Sequence, residues 1–265
     1  MQTRGLNRNP IDQFYTKPEI AALCVSKLRN YCCQGIWIEP SAGTGVFLDL
    51  VPNAIGYDID PKSSNIIKKD FLTVELPENC IVFGNPPFGR QSSTAKKFIR
   101  HAAHKAYLIA FILPKSFVKP SMQSCFPLEF HLKESSELPT NSFLLNGESY
   151  DVPCVFQVWR REVHSRTIDE HIQPIGFCFV KFTEFHNLVI RRVGVNAGRC
   201  FHPDSQSPQS HYFVRIENDS NIDIILESSK TWTIPSNTVG PKSLSKSEIC
   251  QLLHSCMSLT NTGQE

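Results

Sequence analysis

The sequence predicts an α/β fold with a doubly wound, mainly parallel sheet, followed by a small C-terminal β-rich module. Three observations lead to this prediction. Short apolar runs alternate with amphipathic segments as far as about residue 160, which is typical of strands joined by helices. Turns rich in glycine or proline follow several of these runs, and in such sheets ligands bind at the carboxyl ends of the strands. Beyond a polar segment, the pattern changes to short β-type runs.

The first helix is predicted over residues 18–33, where Pro18 occupies a first-turn position and apolar residues recur at spacings of three and four. A glycine-rich turn and the start of a helix follow the first strand, and a further helical pattern covers Thr94–His104. The strands are predicted from short apolar runs, at residues 35–38, 54–59, 80–84, 106–113 and 152–160. Strands and helices that alternate in this way favour a parallel sheet.

Glu162–Gln173 is polar and charged, and we interpret it as a linker between two domains. The predicted domains are residues 1–164, with the parallel sheet, and residues 165–265, the β-rich module. Short β-type runs in the second domain lie at residues 177–182, 188–193, 211–216 and 222–226. Ser245 and Glu248 have the spacing of a capping box and predict the start of a final helix.

The composition excludes the membrane and disordered classes. Hydrophobic residues make up 41% of the 265 residues, and the longest apolar runs, such as Ala106–Leu113, fall short of the roughly 20 residues of a membrane span. The N-terminal segment Met1–Gly5 is polar and carries no secretory signal, so we expect a cytoplasmic or nuclear protein. Ten cysteines scattered through such a chain are expected to be reduced thiols.

No metal site is predicted. Cys250, His254 and Cys256 lie within one stretch and lack the second pair of ligands that a structural zinc site needs. The net charge of +2, from 27 basic and 25 acidic residues, neither requires nor excludes a nucleic-acid partner. Basic residues are concentrated between Arg90 and Lys119, where no acidic residue occurs. A solvated surface is the alternative interpretation of such a cluster.

Glu39–Gly45 closes the first predicted strand with small residues. Such residues let the backbone pass close to a ligand, while the exposed N–H groups at a helix start face it. The third glycine of the dinucleotide fingerprint is replaced by Leu48, which disfavours a nicotinamide-dependent oxidoreductase. A tight turn that binds no ligand is the structural alternative for this segment.

Acidic residues follow at the ends of two later runs. Asp58 would place a carboxylate where the hydroxyl groups of a nucleoside ribose can donate to it. Asp70 and Phe71 offer an acceptor for an exocyclic amine beside an aromatic face for an adenine ring. Each position alone is also compatible with a helix cap or a loop.

Asn85-Pro86-Pro87-Phe88 follows the predicted strand 80–84 and is the most specific feature of the sequence. Two adjacent prolines remove two backbone donors and fix φ twice, so the acceptors around Asn85 are held rigidly. The Asn85 side-chain oxygen, a backbone carbonyl and the Phe88 ring suit a planar amine. Its two N–H groups donate, its ring stacks, and its nitrogen lone pair is free to attack. A purely structural Pro-Pro turn is the alternative.

Five ordered motifs resemble those of adenine-N6 methyltransferases that depend on S-adenosylmethionine, especially the gamma-class DNA enzymes. The motifs are Phe14-Tyr15-Thr16-x-Pro18, Glu39-Pro-Ser-Ala-Gly-Thr-Gly45, Asp58-Ile-Asp-Pro61, Asp70-Phe71 and Asn85-Pro-Pro-Phe88. The resemblance covers about residues 12–160 and implies a Rossmann-like methyltransferase sheet, S-adenosylmethionine as cofactor and a nucleic acid as partner. Lys17, where the restriction-modification enzymes often have proline, and the short C-terminal module depart from the family pattern.

The resemblance also implies roles for the matching residues. The cofactor residues would be Thr16, Glu39, Ser41, Gly43, Gly45, Asp58, Asp70 and Phe71, and the target adenine would be held by Asn85, Pro86, Pro87 and Phe88. Thr16 and the Glu39–Gly45 loop would hold the methionine part, Asp58 the ribose, and Asp70 with Phe71 the adenine. A second aromatic residue sandwiches the extruded base in the family. Phe143 and Tyr150 are its candidates here, and a core position is the alternative for both.

The expected reaction is methyl transfer to the exocyclic amine of adenine in DNA, because RNA enzymes more often carry Asp-x-Gly-x-Gly where Glu39–Gly45 stands. An RNA adenine-N6 methyltransferase and a non-enzymatic nucleic-acid-binding module are the alternatives. In the C-terminal module, Arg192 and Arg199 are expected to contact phosphates, and Asn196 a base edge or a backbone oxygen. An ordinary hairpin with surface arginines is the alternative.

Overall fold

The computed structural model describes residues 14–31, 34–167, 172–204, 206–234 and 241–261. Residues 32–33 of the predicted first helix, residues 168–171 of the predicted linker and the N-terminal segment Met1–Gly5 lie outside the described residues. The chain divides into two compact units, Met1–Ile168 and Asp169–Glu265. The division falls within the segment interpreted as a linker.

The described residues of the first unit form two sheets and three α-helices. Its strands are β1 (Tyr15–Thr16), β2 (Trp37–Glu39), β3 (Ile55–Asp58), β4 (Ile67–Lys68), β5 (Cys80–Gly84), β6 (Ala106–Pro114), β7 (Phe130–Glu137), β8 (Phe143–Leu145), β9 (Glu148–Tyr150) and β10 (Cys154–Arg161). Its α-helices are α1 (Pro18–Arg29), α2 (Ser93–Ala102) and the short α3 (Pro120–Gln123). The main sheet has the order β4-β3-β2-β5-β6-β10-β7, and a small sheet has the order β1-β8-β9. Strands β2 to β6 run parallel, and β10 is antiparallel to both of its neighbours.

Both faces of the main sheet are buried, as the apolar runs indicate. Along β6, Leu108 and Ile112 pack in one core cluster, whereas Ile109 and Phe111 pack in the other, because successive side chains of a strand point to opposite faces. The apolar side of α1 belongs to the first cluster and that of α2 to the second. Burying each large side chain contributes about 1.5–3 kcal/mol. The predicted doubly wound α/β fold is confirmed.

The helix expected directly after the glycine-rich turn is a single 3₁₀ turn, Leu48–Leu50. Pro52 explains the difference, because a proline disfavours the helical conformation in the residue before it. Val51 accordingly has φ −127° and ψ 87°. The β7 strand was not predicted, because most of its residues are polar or charged and it contains no apolar run.

The second unit is built on an antiparallel sheet. Its strands are β11 (Phe177–Val180), β12 (Leu188–Arg191), β13 (Cys200–Phe201) and β14 (His211–Ile216), in the order β11-β14-β12-β13. Its helices are α4 (Ser220–Ser228) and α5 (Lys246–Asn261). The strand predicted at 222–226 is wrong, because Ile222 and Ile225 have helical spacing and pack in the same core as α5. The capping box is confirmed: Ser245 N donates to Glu248 Oε2 at 2.7 Å, and Glu248 N donates to Ser245 Oγ at 3.3 Å.

Within the described ranges, no helix has the length and apolar character needed to cross a membrane.

Candidate functional site

A cleft of about 300 Å³ opens at the carboxyl ends of β2, β3 and β5. From β2 the chain proceeds to β3 and β4 on one side, and then to β5 and β6 on the other. The cleft therefore lies at the point where the strand order reverses, which is where open α/β sheets bind ligands. The predicted site residues that line it are Thr16, Glu39, Ser41, Gly43, Asp58, Asp70, Phe71, Asn85, Pro86, Pro87 and Phe88.

The loop after β2 is fixed to the end of β3. Ala42 N donates to Tyr57 O at 2.9 Å, and Gly43 N donates to Asp58 Oδ2 at 2.7 Å. Gly43 has φ +52°, and a Cβ atom there would lie 3.1 Å from the Tyr15 ring, so the position favours glycine. Gly45 is buried outside the cleft lining and closes the turn by donating to the Ala42 carbonyl at 2.7 Å. This bond gives Gly45 a structural role in the turn, and its predicted contact with the cofactor stays a prediction.

The carboxylate of Asp58 is oriented by its own chain. Besides the bond from Gly43, Oδ1 accepts from Asp60 N at 2.8 Å. Each carboxylate oxygen can accept a further hydrogen bond, so both stay available to hydroxyl donors. The geometry is compatible with the predicted ribose contact, which stays a prediction.

Glu39 is a buried carboxyl group on the cleft wall. Its side chain is 2% exposed, and its Oε2 atom has no hydrogen-bond partner in the described part of the chain. Burial raises the pKa of Glu39 well above its usual range, and the negative charges of Asp58 and Asp49 raise it further. An unpaired buried carboxyl calls for an explanation, which a bound cation or donor would supply. A Cβ atom at Gly84 would lie 3.1 Å from Glu39 Cγ, so glycine makes room for this side chain.

The side chain of Asn85 is held in one orientation. Its Nδ2 atom donates to Phe14 O at 3.1 Å and to Thr16 Oγ1 at 3.2 Å. Its Oδ1 atom is buried and unpaired among the described residues. Because both amide protons are used by the strand β1 and its flanking residue, the amide presents an acceptor alone.

The backbone around Asn85 is also anchored. Ser41 Oγ donates to Asn85 O at 2.9 Å, which connects the loop after β2 to the end of β5. The Asn85 carbonyl, one of those expected to be held outward, is thus engaged by Ser41, whereas the Pro86 carbonyl is the backbone acceptor expected to orient the amine. Thr94 N and Ala95 N both donate to Phe88 O, at 3.2 and 3.3 Å, so the start of α2 anchors the other end of the Asn85–Phe88 segment.

The two aromatic residues predicted in the site lie deep in its wall. Phe88 is 8% exposed and Phe71 is 1% exposed. The Phe71 ring packs against Phe98 and His101, at centroid distances of 5.2 and 4.9 Å. Asp70 is exposed, and its Oδ1 atom caps the following 3₁₀ turn by accepting from Leu72 N at 2.9 Å. The cap leaves the other carboxylate oxygen of Asp70 available on the cleft wall.

Neither candidate for the second aromatic wall lines the cleft. Phe143 is fully buried, because its backbone pairs with both Thr16 and Tyr150 and its ring joins the core cluster of α1. Tyr150 stacks on Phe14 at a centroid distance of 5.2 Å and an interplanar angle of 8°. Phe14 and Tyr15 do line the cleft, and sequence reasoning gave them no role. Their position beside Thr16 in the first motif was the available signal.

The residues predicted in the second unit lie in a hairpin. Gly198 N donates to Arg191 O at 2.7 Å, and Arg199 N donates to Asn196 O at 3.1 Å. Arg192 Nη2 donates to Gln209 O at 2.7 Å, so its guanidinium group binds its own unit. Asn196 and Arg199 are exposed.

The three potential metal ligands of the C-terminal stretch, Cys250, His254 and Cys256, have structural contacts instead. Cys250 and Cys256 are buried in the core of the second unit, and His254 Nε2 accepts from Ile175 N at 3.1 Å. Over the described ranges, no group of three or more His, Cys, Asp or Glu side chains is placed to hold a metal ion.

No family model and no curated protein matches the chain. Three solved structures that resemble it are a Pyrococcus horikoshii protein named as an RNA methyltransferase, the 23S rRNA methyltransferase ErmE, and the M protein of the type I restriction enzyme EcoKI. Their identities to this chain are 14%, 17% and 15%, and their TM-scores are 0.46, 0.42 and 0.44. The alignments cover 60%, 57% and 95% of this chain and 93%, 71% and 71% of the other chains. These similarities concern the fold alone.

Proposed function

We propose that this protein transfers a methyl group from S-adenosylmethionine to the exocyclic amine of adenine in a nucleic acid, with DNA as the favoured substrate. The observation that carries the proposal is the orientation of Asn85. Its amide protons are bound by Phe14 and Thr16, and its unpaired Oδ1 atom is left to accept from an amine. A site built to accept from an N–H group rejects a carbonyl in the same place, because two acceptors cannot pair.

The residues of the cleft fit the polar groups of S-adenosylmethionine. The unpaired Glu39 carboxyl suits the ammonium group of the methionine part, and a positive charge beside it would favour its ionised form. Asp58 would accept from the ribose hydroxyls, and Asp70 from the adenine amine. When bound, the cofactor would supply a methyl group on a sulfonium, an activated donor whose C–S bond breaks on transfer and whose sulfur keeps the bonding pair as a neutral thioether.

The chain's own residues would act by positioning and electrostatics. Asn85 Oδ1 accepts from the target amine and turns the nitrogen lone pair away from the amide. Phe88 packs against the target ring, and the Pro86-Pro87 pair keeps the segment rigid. Asn85 cannot take up a proton at neutral pH, so the amine loses its proton to solvent after transfer. Access to a base in a duplex requires its extrusion from the stack.

Two alternatives are tested by the same experiment. An RNA adenine-N6 methyltransferase would use the same Asn85 geometry on a different polymer. A non-enzymatic binding module would bind the cofactor or the nucleic acid and transfer nothing. The likeness of Glu39–Gly45 to the DNA enzymes supports DNA.

The test incubates the 265-residue protein with labelled S-adenosylmethionine and either DNA or RNA, followed by digestion to nucleosides and mass identification of the methylated base. We expect N6-methyladenine with wild type and none with Asn85→Ala, while calorimetry gives nearly unchanged cofactor affinity. Asn65→Ala is the matched control, because Asn65 is exposed and outside the cleft lining. Near wild-type methylation by Asn85→Ala would contradict the proposal, and cofactor binding without transfer to either polymer would favour the binding module.

A further inference from the structure

A second pocket, of about 260 Å³, lies within the second unit and is lined by aromatic rings. It forms where β11 ends beside β14, at the pair Val180 and Phe213. The rings in its lining are Phe179, Phe182, Tyr212 and Phe213. Phe182 is the most open of these, at 45% exposure, and its ring contacts Phe213 edge to face at 5.1 Å. None of the predicted site residues lines this pocket.

His211, a residue of the same lining, carries an unsatisfied polar atom. The side chain is 4% exposed, and its Nε2 atom has no hydrogen-bond partner among the described residues. Its Nδ1 atom lies 3.1 Å from Ser207 O and 3.0 Å from Ser210 Oγ. A carbonyl oxygen only accepts, so the bond to Ser207 assigns the proton to Nδ1. In the neutral ring, Nε2 is then a buried acceptor without a donor, an arrangement that calls for a ligand or another explanation.

The charges of the pocket are of one sign. Lys181 and Lys246 belong to its lining, and the described lining includes no acidic residue. Lys246 Nζ lies 4.9 Å from the centroid of the Phe179 ring. Glu184, close in sequence, accepts from Lys181 N at 2.5 Å and is therefore turned onto its own backbone. The Lys246 and Lys181 ammonium groups favour an anionic ligand.

We infer that this pocket binds one nucleotide of a single-stranded segment of the nucleic-acid substrate. The base would stack on Phe182, Lys181 and Lys246 would contact the flanking phosphates, and His211 Nε2 would accept from a base amine or a sugar hydroxyl. Aromatic faces combined with lysines are the elements with which proteins hold single strands without reading sequence. The inference rests on the proposed function for the identity of the polymer, and it adds a contact surface to the one expected at the Arg192–Arg199 hairpin.

The test measures binding of the 265-residue protein to a fluorescent single strand of about twelve nucleotides, as DNA and as RNA, and to the corresponding duplex. We expect Phe182→Ala to weaken single-strand binding at least about fivefold, the loss of one stacked base. Phe182→Tyr should retain the affinity, because it keeps the ring. Phe185→Ala is the matched control, since Phe185 is 72% exposed and lies outside the lining. Equal thermal midpoints for these variants would show that they fold alike.

The lysine contribution is tested in the same way. Lys246→Ala should weaken single-strand binding and flatten its salt dependence, whereas Lys242→Ala, an exposed lysine of the same unit, should change neither. The inference would be overturned if wild type bound none of the single strands. It would also be overturned if Phe182→Ala and Lys246→Ala bound the single strand with the same affinity as their control variants. Methylation by wild type together with such unchanged binding would leave the proposed function intact. Weakened binding in a protein that methylates nothing would uphold the pocket and refute the function.

Discussion

The Nδ2 atom of Asn85 lies 3.2 Å from the Oγ1 atom of Thr16 and donates to it. This bond joins the carboxyl end of β5 to the short strand β1, which belongs to a different sheet. Together with the bond from Asn85 Nδ2 to Phe14 O, it holds the amide in one orientation, because turning the amide over would break both hydrogen bonds. The small sheet β1-β8-β9 is therefore part of the catalytic geometry that we propose, because it determines which atom of Asn85 faces a substrate.

Replacing Thr16 by valine removes one acceptor of the Asn85 amide. We expect the Thr16→Val variant to lose roughly two- to tenfold in turnover, which corresponds to a hydrogen bond of about 0.5–1.5 kcal/mol. Thr16→Ser should retain the wild-type rate, since it keeps the hydroxyl. Turnover is measured with labelled cofactor, and affinity by calorimetry. A loss of cofactor affinity as large as the loss of turnover would instead make Thr16 a cofactor contact, as the family resemblance implies.

Removal of the Asp58 carboxylate should act on cofactor affinity. Asp58→Ala loses charge-assisted bonds to two ribose hydroxyls, so we expect a loss of about 2–3 kcal/mol in binding free energy. Asp58→Asn keeps one oxygen acceptor and should lose less. Calorimetry with S-adenosylmethionine measures both variants. A change of less than about threefold for Asp58→Ala, under 1 kcal/mol, would reduce Asp58 to its bonds with Gly43 and Asp60.

Eleven of the residues that line the cleft were predicted as site residues, mainly because they follow apolar runs and the ends of parallel strands lie along one edge of a sheet. The burial of Phe143 outside the cleft could not be predicted, because it depends on pairing with Thr16, a residue far away in the chain. The helix α4 was predicted as a strand because Ile222–Leu226 is rich in β-branched residues, and packing in the core shared with α5 overrides that preference. The orientation of the Asn85 amide depends on the Phe14 carbonyl, which no sequence pattern reveals.

Glu39 should make stability depend on pH. Its pKa is raised in the folded protein, mainly by burial, so the folded state holds a proton that the unfolded state releases once the pH exceeds the ordinary value of about 4.5. The free energy of unfolding should therefore fall as the pH rises from that value through the raised pKa. Glu39→Gln lacks this titration. Chemical denaturation over a pH series should show wild type losing stability relative to Glu39→Gln, and parallel curves would contradict the assignment.

Gly89 follows Phe88 and has a left-handed backbone, with φ +69°. A Cβ atom there would lie 2.9 Å from Thr94 Cβ and 3.1 Å from Thr94 N, the group that donates to Phe88 O. Gly147 also has a positive φ, +84°, and has open space around it. Gly89→Ala and Gly147→Ala should both lose stability because alanine is strained at a positive φ. Gly89→Ala should lose about 1–3 kcal/mol more, because its Cβ atom also crowds Thr94. Chemical denaturation compares the two, and equal losses would show that Thr94 moves aside freely.

The hairpin around Arg199 is expected to affect how nucleic-acid affinity depends on salt. Arg192 is bound to Gln209 O, whereas Arg199 is exposed, so the two arginines should contribute unequally to nucleic-acid binding. The double variant Arg192→Ala and Arg199→Ala should weaken binding, flatten the slope of log affinity against log salt by roughly one to two, and spare cofactor affinity.

Single variants separate the contributions of the two arginines. Arg199→Ala alone should produce most of the slope change, because a phosphate contact releases about one counterion. Arg192→Ala should lower the thermal midpoint instead, since its guanidinium group holds the Gln209 carbonyl and lies 5.8 Å from the centroid of the Tyr212 ring. Binding titrations over a salt series measure the slopes. An unchanged slope in the double variant would exclude phosphate contacts by this hairpin. The basic face between Arg90 and Lys105 and the pocket around Phe182 would then be the surfaces left to contact the strand.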